Sequence, residues 1–118
     1  MIEELTGQIR EAAASTKNHY WQQVYFAFAR TLDRILEPDN QREQVLLLEA
    51  IRDYVTKQAA SHTAQATVDR AFIALFKGAR GAEIEYRVQE KDTHAVIFEE
   101  YAAAYREVAA MLAQEGQG

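Results

Sequence analysis

From His19 to Leu36 the chain reads HYWQQVYFAFARTLDRIL, and at the helical period its apolar residues gather on one side. Tyr20, Trp21, Val24, Tyr25, Ala27, Phe28, Thr31, Leu32, Ile35 and Leu36 form a broad apolar face, with His19, Gln22, Gln23, Arg30, Asp33 and Arg34 opposite. This pattern predicts a core helix over 18–36. Phe26 breaks it, projecting from the polar side between Gln22, Gln23 and Arg30. Upstream, Ile2, Leu5, Ile9, Ala12, Ala13 and Thr16 recur every three or four residues and predict a helix over 2–16. The apolar stripes of these two segments are rotated relative to each other. The junction Ser15 to Asn18 therefore reads as a kink or a break, with Ser15 or Asn18 able to cap a new start.

The segment Glu37-Pro38-Asp39-Asn40 is strong punctuation, because proline cannot continue a helix and Asn40 with Glu43 resembles a capping box. A helix over 40–60 follows, its predicted buried stripe made of Leu47, Leu48, Ile51, Tyr54, Val55 and Ala59. The stripe then rotates to Val68, Ala71, Phe72, Leu75 and Phe76, which places a kink or short break at Ala60 to Thr63 before the helix ends near Lys77. Lys77-Gly78-Ala79-Arg80-Gly81 reads as a bend between helices. Residues 83–88 alternate apolar and polar as a half-buried strand would, yet no second strand-like run exists to pair with them, which favours a helical or irregular segment. A last helix is predicted from Asp92 or Thr93 to about Gln114, with a heptad-like seam through His94, Phe98, Tyr101, Tyr105, Val108 and Leu112. Glu115 to Gly118 is predicted to fray.

The expected fold is thus all-α, an antiparallel bundle of about four helices, one or two kinked, forming one domain over 1–118. Composition agrees. The chain is 48% hydrophobic and 26% charged, with five glycines and one proline, too little turn material for a many-stranded sheet. No cysteine is present, so disulfides, thiolate nucleophiles and zinc ribbons are excluded. The acidic, amphipathic N-terminus is unlike a secretory signal, and no window resembles a membrane span, so the expected location is the cytoplasm, with no membrane partner.

The net charge of −5 argues against nonspecific nucleic-acid binding. One local exception is basic, Arg70, Lys77, Arg80, Arg87 and Lys91 against Glu83, Glu85 and Glu90. Di-iron, zinc-protease, EF-hand and phosphate-loop motifs are missing, and no cofactor is expected. Among the histidines, His19 lies on a polar face, and His62 lies on a buried stripe where it would satisfy a carbonyl freed by the kink. Arg87 and His94 are separated by six residues. In those two residues alone the chain resembles helical ribonucleases of the HEPN type, which implies a histidine for proton transfer and an arginine for the scissile phosphate. Here the intervening stretch is largely charged.

The reading favoured by the sequence is a non-enzymatic interaction protein: an adaptor, an inhibitor or immunity-type protein, or a small subunit of an assembly. The alternative is a small ribonuclease or nucleic-acid-associated subunit using Arg87 and His94. Phe26, with Gln22, Gln23 and Arg30 as a hydrogen-bonding rim, is the expected interface of a homodimer. Val96 and Met111 are two further apolar residues on faces predicted to be wet.

Overall fold

In the computed structural model, residues 2–36 and 41–117 are described, with side chains for 3–34 and 41–113. The chain is all-helical: α1 Ile2–Ser15, α2 His19–Leu36, α3 Gln41–Leu75 and α4 Ala82–Gln117. The bend predicted at Pro38 and the capping box at Asn40 lie outside the described residues.

The α1–α2 junction is a break, and Asn18 is the residue that starts the second helix. Its Oδ1 accepts from the backbone N–H groups of Tyr20 (3.0 Å) and Trp21 (3.2 Å), satisfying donors that a helix start leaves unpaired. The Ser15 hydroxyl donates back to the Glu11 carbonyl instead, so Ser15 is no cap. Arg10 of α1 and Asp33, near the far end of α2, then join the two helices by an ion pair.

The predicted break at 60–63 is absent: α3 is helical throughout that stretch. The stripe rotates because the large residues taken as buried point elsewhere. Leu47, Tyr54, Val68, Ala71 and Leu75 are exposed. The α3 seam repeats Leu48, Val55, His62 and Asp69 every seventh residue, interleaved with Arg52, Ala59, Ala66 and Ile73, all buried or half-buried. On α4 the matching series is Lys91, Phe98, Tyr105 and Leu112, interleaved with Val88, Ala95, Ala102 and Ala109. Pairings along this seam run in opposite directions. Arg52 donates to the Leu112 carbonyl (3.0 and 3.1 Å), His62 stacks on Tyr105, and Arg70 meets Asp92.

Two further boundary expectations are corrected. The 83–88 segment is helical, one of the two readings favoured for it, and because it forms the first turns of α4, Asp92 and Thr93 do not cap a helix. Asp92 faces Arg70, and the Thr93 hydroxyl bonds the Gln89 carbonyl within the helix. The true start is Gly81, whose carbonyl accepts the Glu85 N–H (3.0 Å). At its other end α4 continues through the predicted frayed residues to Gln117.

The connected core occupies one end of the molecule. Among the described residues it joins Leu5, Ile9 and Ala13 of α1 and Val24, Tyr25, Phe28 and Leu32 of α2 to α3 only at Leu48, Ile51 and Val55, and to α4 only from Tyr101 onward. The sequence of α4 explains the limit. Its second stripe, the one that meets the first two helices, is Tyr101, Ala104, Val108 and Met111, and continuing it backward past Ile97 reaches His94, Glu90 and Arg87. The rest of α3 and α4 forms a two-helix arm. The extents are 61 × 25 × 21 Å and the radius of gyration is 17.9 Å, against about 13–14 Å for a compact chain of this length.

Candidate interaction surface

The arm is held by a small-residue seam with polar insertions. Ala59, Ala66, Ala95 and Ala102 are buried and let the two helices approach closely. In the same seam Asp69 is only 1% exposed. Its Oδ1 is 3.7 Å from the Lys91 ammonium and 3.5 Å from the Gln65 amide, while its Oδ2 has no hydrogen-bond partner. Lys91 also lies over the Phe72 ring, 5.8 Å from its centre. On the surface above, Arg70 donates to Glu99 (2.6 and 3.1 Å) and Asp92 (2.8 Å), and these two carboxylates, Glu99 foremost, hold the guanidinium even more firmly protonated than usual.

His62 corrects a second expectation. Its ring packs in the seam by stacking on Phe98, Tyr101 and Tyr105, nearly parallel to Tyr105 at 5.3 Å. Burial lowers its pKa and so favours the neutral ring.

Three concavities border exposed apolar side chains. One, of about 330 Å³, lies between α2 and α3, with Phe28, Thr31 and Arg34 on one wall and Leu47, Ala50, Ile51 and Tyr54 on the other. A second, of about 450 Å³, lies on the flank of the arm near its tip, lined by Phe72 and Tyr86 with Glu83, Arg87, Glu90 and Lys91 around them. The third, also about 450 Å³, is at the tip itself, around Ile73, Phe76, Gly78 and Val88. Leu75 (77%) and Tyr86 (66%) are the most exposed large apolar side chains described.

Phe26 is exposed, at 44%, as its position in the pattern suggests. The glutamines beside it are engaged within the chain: Gln22 donates to the Ala13 carbonyl on the α1 side, and Gln23 accepts from the Tyr101 hydroxyl on the α4 side and contacts His19. Arg30 is exposed. Val96 is exposed too, on the arm, whereas Met111 packs against the core.

Arg87 and His94 both lie on α4, two turns or about 10 Å apart along its axis. Both are exposed, Arg87 pairs with Glu83 (3.2 Å), and His94 does not line the cavity that Arg87 borders. The basic segment is likewise dispersed. Arg70, Arg87 and Lys91 are each met by carboxylates, while Lys77 and Arg80 lie in the bend.

The residue missed in sequence was Asp69, and the missed signal is its spacing. It stands seven residues from His62 and fourteen from Val55, a charged residue in register with a buried series. Among the described residues no group of three or more acidic or histidine side chains is placed to hold a metal ion, and no helix is long and apolar enough to cross a membrane. Comparison of the chain with protein-family models, with curated proteins and with solved structures returns no match.

Proposed function

We propose that the protein is a non-enzymatic interaction module, an adaptor or small subunit whose helices form an antiparallel bundle, with α3 bent rather than broken, and whose arm engages a protein partner in the cytoplasm. The observation that carries this reading is the exposed apolar side chains of the arm: Leu75 at the end of α3, and Tyr86 of α4, which lines a cavity with Phe72 inside a rim of Glu83, Arg87, Glu90 and Lys91, on two helices that the first hairpin leaves uncovered. Exposed large apolar side chains gathered on one part of a fold are a mark of a binding site. The acidic ends of the chain favour encounter with a basic partner. The ribonuclease alternative has weaker support, because Arg87 and His94 share a helix face and line no common cleft.

A photo-cross-linking residue at Tyr86 tests this in the native cell. The expected result is a discrete adduct that disappears when Leu75→Glu is added with helicity unchanged. An adduct insensitive to Leu75→Glu, or RNA cleavage by the wild type that His94→Ala abolishes, would overturn the reading.

A further inference from the structure

We infer that the outer face of α3 is the interface of a two-fold homodimer, with the partner's α3 lying antiparallel along it. This rests on the reading of the chain as an interaction module, but it concerns a different face from the Tyr86 cavity. Besides the buried seam, α3 carries a second heptad series that is exposed along its whole length: Leu47, Tyr54, Ser61 and Val68, interleaved with Ala50, Lys57, Ala64 and Ala71. A helix with one apolar seam needs one neighbour, and a helix with two needs two. The first hairpin covers only the edge of the second series.

The order of residues in the series selects the occupant and its direction. A parallel copy would set each residue against itself, stacking Lys57 on Lys57 and leaving gaps where alanine meets alanine. An antiparallel copy, centred between Lys57 and Ser61, puts Leu47 against the partner's Ala71, Ala50 against the partner's Val68 and Tyr54 against the partner's Ala64. Each of these layers then holds one large and one small side chain, the arrangement that close helix packing requires. The two-fold axis repeats every contact.

The groove between α2 and α3 supports the same register. Leu47, Ala50 and Tyr54 form its α3 wall, so the partner's Val68 enters at its middle, over Ala50. Val68 itself is 61% exposed on the arm, with nothing in its own chain to cover it. Charge points to a like partner as well. The chain carries −5 overall, but between Leu47 and Ala71 the charged side chains in or directly beside this series, Lys57 and Asp53, already neutralise each other at 2.8 Å. Two copies therefore meet on a face that does not repel itself. A contact from Leu47 to Ala71 is about 36 Å long, and with the α2 edge of the groove it reaches the lower end of the range for specific interfaces, on the order of 1,200 Å² in total.

Sedimentation from a few to about 200 µM of the wild type, Val68→Glu, Ala64→Glu and Phe26→Glu tests the inference. The wild type and Phe26→Glu are expected to reach twice the 13.4 kDa chain mass. Both α3 variants change exposed residues, so their helicity should be unchanged, and each should weaken dimerisation by about a hundredfold. Because the chain has no cysteine, oxidising a mixture of Lys57→Cys and Ser61→Cys chains should give more linked dimer than either alone. A wild-type monomer throughout, α3 variants that still dimerise, or dissociation by Phe26→Glu alone would overturn the proposal. None of these outcomes would touch the cross-linking result at Tyr86.

Discussion

The Trp21 indole is half-buried against the core, and its Nε1–H donates to Glu100 at 2.8 Å. Removing it as Trp21→Ala is expected to cost about 2 kcal/mol, less than for a fully enclosed aromatic, and Trp21→Phe about 1 kcal/mol for the lost hydrogen bond. Denaturant midpoints measure both, and a loss above about 4 kcal/mol would place the indole fully inside. Asp69 poses the opposite case. Burying a carboxylate beside an ammonium 3.7 Å away sets desolvation against attraction, so the pair is expected to add little net stability. Asp69→Leu is expected to leave the thermal midpoint unchanged or raise it, since Lys91 is partly exposed and its ammonium can turn to water; a fall of several degrees would show the pair to be stabilising. His62 gives a pH dependence. Its folded pKa lies below the unfolded value of about 6.5, so below that pH the unfolded chain binds more protons. The stability it contributes is complete above the unfolded pKa and is lost as pH falls through the folded one. The ring is stacked on Phe98, Tyr101 and Tyr105. Wild type should therefore lose more stability between pH 7.5 and 5 than His62→Phe, and equal losses would remove the assignment.

At the level of elements, the bend between α3 and α4 depends on backbone conformation alone. Gly78 (φ 83°) and Gly81 (φ 129°) both lie where side chains are disfavoured, yet an added Cβ at either would meet nothing within 4 Å. Alanine at Gly78 is thus expected to cost about 1 kcal/mol, and at Gly81 about 1–3 kcal/mol, as backbone strain. Thermal melts decide this, and no change at either glycine would indicate that the bend relaxes freely. The bend itself was legible, because glycine and basic residues punctuate it in the sequence. The helix from 19 to 36 was legible for a different reason, its broad stripe of large side chains. The α3–α4 seam was legible only in part: Leu48, Val55 and Ala59 on α3 and Phe98, Tyr105 and Leu112 on α4 are buried or half-buried as their stripes predict, but beyond Ala59 the α3 side is largely alanine and polar residues while Leu47, Tyr54 and Val68 face water. The strand-like alternation at 83–88 is a coincidence of periods: Ile84 and Val88, two alternations apart, are also one helical turn apart and share the half-buried face, with Tyr86 opposite. Thr93 resembled a cap because the hydroxyl that caps a helix start can equally bond a carbonyl within one. Of the candidate site, Phe26 was visible as an apolar residue on a polar face. The engagement of Gln22 and Gln23 was not, since it depends on what α1 and α4 bring alongside.

The whole molecule is divided unequally between a four-helix end and a two-helix arm, and this sets its pattern of local stability. Leu5, Ile9, Leu32, Val108 and Leu112 are almost fully enclosed at the first end, whereas the buried side chains of the arm are chiefly alanines and Asp69, which offer little apolar area. Residues 64–97 should therefore open at lower free energy than residues 5–32 and 101–112, and amide exchange of the dilute protein should show the boundary near Ile97. A second copy on α3 would change this unevenly. It would cover the α3 side of the arm and the α2–α3 groove but not the outer side of α4, so raising the concentration should slow exchange in 47–71 by more than in 82–97. The two parts separate the physics. Weak protection of the whole arm at low concentration follows from its small core, and a selective, concentration-dependent gain in α3 follows only from association on that face. Uniform protection along the chain at every concentration would contradict both the unequal core and the dimer. Weak protection of α3 that never responds to concentration would leave the unequal core in place and remove the dimer.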